Sequence, residues 1–383
     1  MRICIVSSSY PPVYCGVGDF VQQLARALAV QDAEVLLLTT KERAIRPDDG
    51  KITILPVVPT WGWGALPLIM SHLSAVRPDI INIQYPTLYY GRQPMVNILP
   101  FFSRARLRIP TVTTVHEFST FRRLGKWRVG LSVMSSTGVI VPDRANLTQM
   151  ARAFPKSASR LVHIPLGPNI EPNRSESVDL RQVRAGYGAA EGDTVVAYFG
   201  FISPSKGIET LLHALARARR ERPDLRLLLI ASREPSEPSY TAYHRRITGM
   251  LNELDLNDVT YWTGYCSASQ VSAFLASADM SVFPFSDGVS LRRTSLLTAM
   301  AHGLPVISTY VPNVTPSELG EEQGLRLVRA GDEQAMVSAV IELASDRGQR
   351  SILSARAWNF ASTLSWTRIA RQTLSYYQQL LGG

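Results

Sequence analysis

Four segments of the chain hold residue types at spacings that can do chemistry. Lys206 lies in Gly200-Phe201-Ile202-Ser203-Pro204-Ser205-Lys206-Gly207, between an apolar run at 194–199 and an amphipathic pattern at 208–220. In a strand–loop–helix setting a lysine can hold its ammonium over a pyrophosphate, a stronger reading here than a solvated loop cation. Asp287-Gly288-Val289-Ser290-Leu291-Arg292-Arg293-Thr294-Ser295 also leads from an apolar run into a helical pattern. A helix N-terminus there offers unpaired N–H groups and a dipole that favours phosphate. Arg292 or Arg293 would add a bidentate contact, or both would stay on the surface; neighbouring side chains diverge, so at most one reaches a ligand. Gly16-Val17-Gly18 follows the first apolar run at 3–6. It either lets backbone approach a ligand or meets the torsional needs of a turn. A dinucleotide fingerprint would want a third glycine where Val21 stands, which argues against a nicotinamide site. His116 closes the run at 111–115. At a strand's carboxyl end it is either a ligand-facing group or a structural one.

Positioning these residues takes alternating strands and helices. Strand patterns fall at 3–6, 34–40, 79–84, 111–116, 138–141 and 162–164, with helical patterns such as 17–30 between them. Residues 168–178 are polar, proline-bearing and unpatterned, and the alternation then restarts. Strands follow at 194–199, 225–231, 259–263, 280–283, 305–309 and 325–328, with helices near 208–220, 240–254, 267–276, 294–302 and 332–344. This predicts an α/β protein with two Rossmann-like domains. The expected division is a first domain over 1–168, a linker over 169–178 and a second domain over 179–355. A closing helix over 356–383 would pack back on the first domain. Two such domains put the carboxyl ends of both sheets on one cleft, where open α/β sheets bind ligands.

Composition narrows the class. At 383 residues, with 45% hydrophobic and 19% charged, the chain can bury two ordinary globular cores. No tract is long or apolar enough to cross a bilayer, and the N-terminus reads as a first strand rather than a secretory signal. Cys4, Cys15 and Cys266 are odd in number, scattered, and match no metal-ligand spacing, which suits a reducing cytoplasm. Cys4 reads as core, and Cys15 beside the glycines as structural. The net charge of +9 and a pI near 9.6 point to an anionic partner. Between 103 and 128 the cations Arg104, Arg106, Arg108, Arg122, Arg123, Lys126 and Arg128 meet one acid, Glu117, with Phe118, Phe121 and Trp127 interleaved. That stretch suits peripheral docking on an anionic membrane, an anionic sugar polymer, or simply solvent. No recognition module accompanies the charge, so nucleic acid is not the expected partner.

The order of motifs closely resembles family 4 glycosyltransferases, which are retaining GT-B enzymes. It runs from Pro11-Pro12 and Gly16-Val17-Gly18 through Val115-His116-Glu117 and Gly200…Lys206-Gly207 to Ala299-Met300-Ala301-His302-Gly303-Leu304-Pro305-Val306. The likeness covers nearly the whole chain, including Ser365-Trp366. It implies transfer of a sugar from a nucleotide-sugar, UDP-glucose or a related UDP-sugar on family frequency. The acceptor would be a glycan or lipid-linked sugar, as in exopolysaccharide or cell-envelope glycan synthesis. Retention would come from same-face attack with the leaving phosphate helping as base, and neither metal nor cofactor is expected. Carried over, Gly16, Val17 and Gly18 approach the donor phosphates and the acceptor. His116 sits near the transferred sugar, and Lys206 holds the pyrophosphate and stabilises the leaving nucleotide. Gly264 and Tyr265 frame the base, while Leu291 and Thr294 line the donor beside the arginines. The sequence departs from the family at Phe201, where an arginine is usual, and at Ser290 and Thr298, where paired glutamates are usual. Asp287 is the nearest replacement for the sugar-contacting glutamate, and Arg292 or Arg293 for the arginine. These departures mark a divergent member. They keep two other readings in view: an epimerase or non-glycosidic coupling enzyme on the same fold, and a non-catalytic nucleotide-sugar-binding subunit.

Overall fold

The computed structural model describes the chain apart from residues 14, 42–47, 50, 92, 120, 173–177, 235–237, 314–318 and 383. Of the expected linker, 173–177 thus lie outside the described residues. The chain forms two compact units, one of Met1–Gly167 with Leu364–Gly383, the other of Pro168–Thr363.

The first unit holds β1 (Arg2–Val6), β2 (Glu34–Thr40), β3 (Asp48–Asp49), β4 (Ile52–Val58), β5 (Ile80–Tyr85), β6 (Thr111–Val115), β7 (Gly138–Val141) and β8 (Leu161–His163). They form one sheet in the order β3-β4-β2-β1-β5-β6-β7-β8, parallel throughout except for β3, which is antiparallel to β4. Parallel strands are covered on both faces, so β1, β5 and β6 read as near-continuous apolar or small-polar runs and are buried. The covering helices are α1 (Gly16–Val30), α2 (Ala65–Val76), α3 (Met95–Phe102), α4 (Arg123–Ser135) and α5 (Arg144–Ala153). Strand β4 escaped the sequence reading because it contains Pro56, which has no N–H for a ladder. Beside the two-residue β3, with a register shift between Thr39 and Thr40 of its other neighbour, β4 tolerates the proline.

The second unit holds β9 (Thr194–Phe199), β10 (Leu225–Ile230), β11 (Thr260–Trp262), β12 (Met280–Phe283), β13 (Val306–Tyr310) and β14 (Leu325–Arg329). All are parallel, in the order β11-β10-β9-β12-β13-β14. Helices α6 (Leu180–Gly186), α7 (Ile208–Ala218), α8 (Thr241–Glu253), α9 (Ala268–Ser277), α10 (Thr294–Ala301), α11 (Glu333–Ser345) and α12 (Arg347–Ser362) cover it. Local chemistry fixes several of their starts. Ser267 and Gln270 form a capping box on α9, and Asp332 and Asp346 accept N–H bonds at the heads of α11 and α12.

The closing helical region is two helices. The chain breaks at Thr363–Ser365, α12 stays with the second unit, and α13 (Trp366–Gly382) belongs to the first, where it packs on α1. Both sheets reverse their strand order once, between β1 and β5 and between β9 and β12. Such switch points open a crevice at the strands' carboxyl ends, and the candidate residues other than Gly264 and Tyr265 lie on the segments that follow the strands near them.

Candidate active site

In the second unit the β9|β12 switch point carries a cation cluster. After β9 the chain turns at Gly200 (φ +137°), and the Tyr198 hydroxyl donates to the Phe201 carbonyl at 2.8 Å. The Phe201 ring itself is exposed. A short 3-10 turn at Pro204–Lys206 ends on Gly207, whose φ of +66° lies in the left-handed region. A Cβ there would stand 1.9 Å from the Pro284 carbonyl oxygen, so only glycine lets this turn press against the segment after β12. Ser286 N–H donates to the Ser205 carbonyl at 3.1 Å and ties the two loops together.

That packing sets Phe285 against two cations. Lys206 Nζ lies 5.2 Å from the ring centroid and Arg293 Cζ 4.4 Å. Arg293 also pairs with the Asp287 carboxylate. Burial, reinforced by the neighbouring Arg293 and opposed by Asp287, brings Lys206 down to about 8. Burial lowers Arg293 as well. Two partly desolvated cations sharing one aromatic ring favour a ligand that brings negative charge.

The loop after β12 is held by Val289 N–H donating to the Thr309 carbonyl at 2.8 Å. The Ser290 and Arg292 carbonyls accept from the amides of Arg293 and Thr294, and Leu291 is buried. Arg293 is the N-cap of α10 and makes no side-chain capping bond, so the first amides of α10 start without a side-chain acceptor from that position. Thr298, one turn in, is fully buried, and its hydroxyl has no partner among the described residues. Lys206, Asp287 and Arg293 are therefore brought together, with Thr294 at the adjoining helix head. Gly264 (φ +77°) and the exposed Tyr265 follow β11 at the sheet's edge, two strands from β9.

In the first unit, Gly16, Val17 and Gly18 form the first turn of α1 rather than a free loop. Neither glycine has a positive φ. A Cβ at Gly18 would press to 3.3 Å from the Ser9 and Tyr10 backbone, so close approach explains that glycine, while a Cβ at Gly16 would meet open space. Cys15, the N-cap, makes no side-chain capping bond, and burial raises Asp19 in the same turn to about 6. His116 leaves β6 beside β5, its N–H donating to the Tyr85 carbonyl at 2.8 Å. Its Nε2 lies 2.8 Å from Gln84 Oε1, and its ring meets Phe20 of α1 edge-on at 4.9 Å. Desolvation holds the imidazole far below its ordinary value, so it is neutral.

Sequence reasoning missed Phe285, Asp19, Gln84 and Asn82. Phe285 reads as one more apolar residue after a strand. Gln84 and Asn82 did leave a signal: two amides spaced by two in the otherwise apolar Ile-Ile-Asn-Ile-Gln-Tyr.

Comparison with known proteins finds matches on both units. Residues 14–171 match the model described as Glycosyltransferase Family 4, and residues 193–346 match Glycosyl transferases group 1. A D-inositol 3-phosphate glycosyltransferase of Corynebacterium glutamicum is 29% identical, over 100% of this chain and 97% of its own length. Sucrose-phosphate synthase from Thermosynechococcus elongatus superposes with a TM-score of 0.78 at 20% identity, covering 100% of this chain and 99% of its own. Anabaena HepE in complex with UDP and glucose superposes with a TM-score of 0.74 at 17% identity, covering 99% and 100%. With one family model on each unit and the matching fold, the chain belongs to the family 4, group 1 glycosyltransferases of GT-B type.

Proposed function

We propose that this glycosyltransferase uses a UDP-sugar, retains configuration at the transferred carbon, and works without a divalent metal. The observation that carries the reading is that Lys206 and Arg293 both lie against Phe285, near the head of α10. A diphosphate leaving group gains negative charge as its bond to the sugar breaks, and fixed cations in a partly dry site stabilise it. The UDP and glucose held by HepE support the donor class. His116, neutral at the carboxyl end of β6, would meet the transferred sugar.

On the acceptor side the reading is a glycan or lipid-linked sugar of envelope or extracellular polysaccharide synthesis, reached by peripheral contact with an anionic membrane. Helix α4 supports it, since Leu124, Trp127 and Met134 lie exposed along one face with Arg123 and Arg128 flanking them. Among the described residues no helix is long and apolar enough to cross a membrane.

A panel of nucleotides and nucleotide-sugars in chelator tests the donor site, because a ligand of the folded state raises the thermal midpoint. A midpoint raised by UDP or a UDP-sugar, followed by product with the donor's anomeric configuration, is the expected outcome. Dependence on added divalent metal, or stabilisation by another base only, sinks the corresponding part. A non-catalytic donor-binding role is the second reading, favoured by Asp287 being paired with Arg293 and by a hydroxyl at Thr298. Binding without turnover would select it.

A further inference from the structure

One polar chain runs through the apolar core of the first unit. It starts on α13, where the hydroxyl of the fully buried Tyr377 accepts from Asn82 Nδ2. Asn82 and Gln84 are two apart on β5, so their side chains share one face of the sheet. Gln84 Nε2 donates to Asn82 Oδ1 at 2.8 Å, and the Thr114 hydroxyl donates to the same oxygen at 3.0 Å. The remaining end of the Gln84 amide, Oε1, is thereby turned on His116 Nε2 at 2.8 Å. An amide oxygen only accepts, so Nε2 carries the proton. Nδ1 has no partner among the described residues. Asn82, Gln84 and Tyr377 are fully buried. Amides placed in a sheet core cost free energy unless every bond is made, and an apolar strand would close the sheet as well. At the strand's carboxyl edge the chain ends on the imidazole.

We infer that Gln84, held in turn by Asn82 and Tyr377, is a positioning residue that fixes His116 as its Nε2–H tautomer and presents Nδ1 as the acceptor for a hydroxyl of the bound sugar. The sugar-facing role rests on the function proposed above; the tautomer does not. The partner of one ring nitrogen decides which nitrogen is left for chemistry. A proton moved to Nδ1 would turn an acceptor into a donor at the same spot.

Nitrogen NMR of the full-length protein labelled with 15N-histidine tests this, with the His116 signals assigned through His116→Gln. The expected spectrum shows a protonated Nε2 and a bare Nδ1 near neutral pH. A protonated Nδ1, or two tautomers in exchange, overturns the proposal. Gln84→Leu removes the acceptor. It should mix the tautomers, weaken donor binding and lower kcat/KM about tenfold, the size of one neutral hydrogen bond to the bound sugar. Gln84→Glu restores an acceptor for Nε2–H and should recover that state and part of the rate. A His116 spectrum or a kcat/KM left unchanged by Gln84→Leu also overturns it. If the Gln84 variants unfold, Tyr377→Phe replaces them; it should loosen the amide chain and leave a partial tautomer mixture. If the wild-type protein turns over no donor, the function proposal falls, and the wild-type spectrum alone decides this one.

Discussion

Lys206 would report most directly on the proposed donor site, because its charge state depends on what sits beside it. Burial brings it down to about 8 from the ordinary 10.5. Between those values the unfolded chain binds more protons at this lysine than the folded one. Its contribution therefore destabilises the fold at low pH and fades as pH rises through that window. A bound diphosphate reverses the sign, since its negative charge favours the ammonium. Donor binding should therefore take up a proton above pH 8 and weaken as pH rises further, with no such dependence from this group below it. Calorimetry in two buffers of different ionisation enthalpy at pH 7 and pH 9 checks this, since proton uptake appears only at the higher pH. Lys206→Arg should abolish the uptake, and Lys206→Ala should cost ~2–4 kcal/mol in donor affinity or turnover. Equal uptake at both pH values would remove Lys206 from the site. The lysine was legible in the sequence because a cation between a strand and a helix has few other uses. Phe285 was not, because nothing in an aromatic's own position tells that two loops will close over it. The Gln84 chain was half legible. Two amides on one face of a buried strand announce a network, but their partners Thr114 and Tyr377 come from distant segments.

Helix α4 carries apolar residues on two faces. Its buried side holds Gly125, Val129 and Val133, while Leu124, Trp127 and Met134 lie along the opposite side in contact with water. With apolar residues on both faces it has no clean amphipathic period, and the sequence reading drew no bounds for it. Strand β4 was lost for a different reason, a proline that only its place near the sheet's edge makes harmless. Apart from the two-residue β3, the remaining strands were legible, as were the main helices of the second unit, because parallel α/β units keep their two periods apart. Exposed leucine, tryptophan and methionine flanked by arginine are a poor investment for a purely solvated helix. Replacing Leu124 and Trp127 together by glutamate should leave the thermal midpoint within about 1–2 °C, because surface changes away from special features cost little. The same variant should lose most of its cosedimentation with phosphatidylglycerol vesicles, wild type having pelleted with these and not with phosphatidylcholine vesicles. Equal binding by variant and wild type would move the membrane face elsewhere.

At the scale of the whole molecule, the second unit is an insertion in the first. The chain leaves the first unit after Gly167 and rejoins it at Leu364. On the first unit's side the two crossings touch. A Cβ at Gly167 would lie 3.0 Å from the Leu364 carbonyl oxygen and 2.9 Å from Trp366 Cε2. Insertions tolerated by folds characteristically have such neighbouring ends, because the host loses no contact when the guest is removed. Several contacts that hold α13 lie within the host. Trp366 packs on Phe20 at 5.4 Å, the Tyr376 hydroxyl donates to the Arg160 carbonyl at 2.8 Å, and Tyr377 ends the Asn82–Gln84 chain. Replacing residues 168–363 by a short glycine-serine linker should therefore leave a folded first unit. Two readouts check it: a single cooperative thermal transition, and the same His116 nitrogen spectrum as in the full-length chain. A broad transition with that spectrum lost would mean that α13 docks only when the inserted unit is present. The sequence-based boundary near 168 and closing helix at 356–383 would then describe one continuous structure rather than a host and its guest.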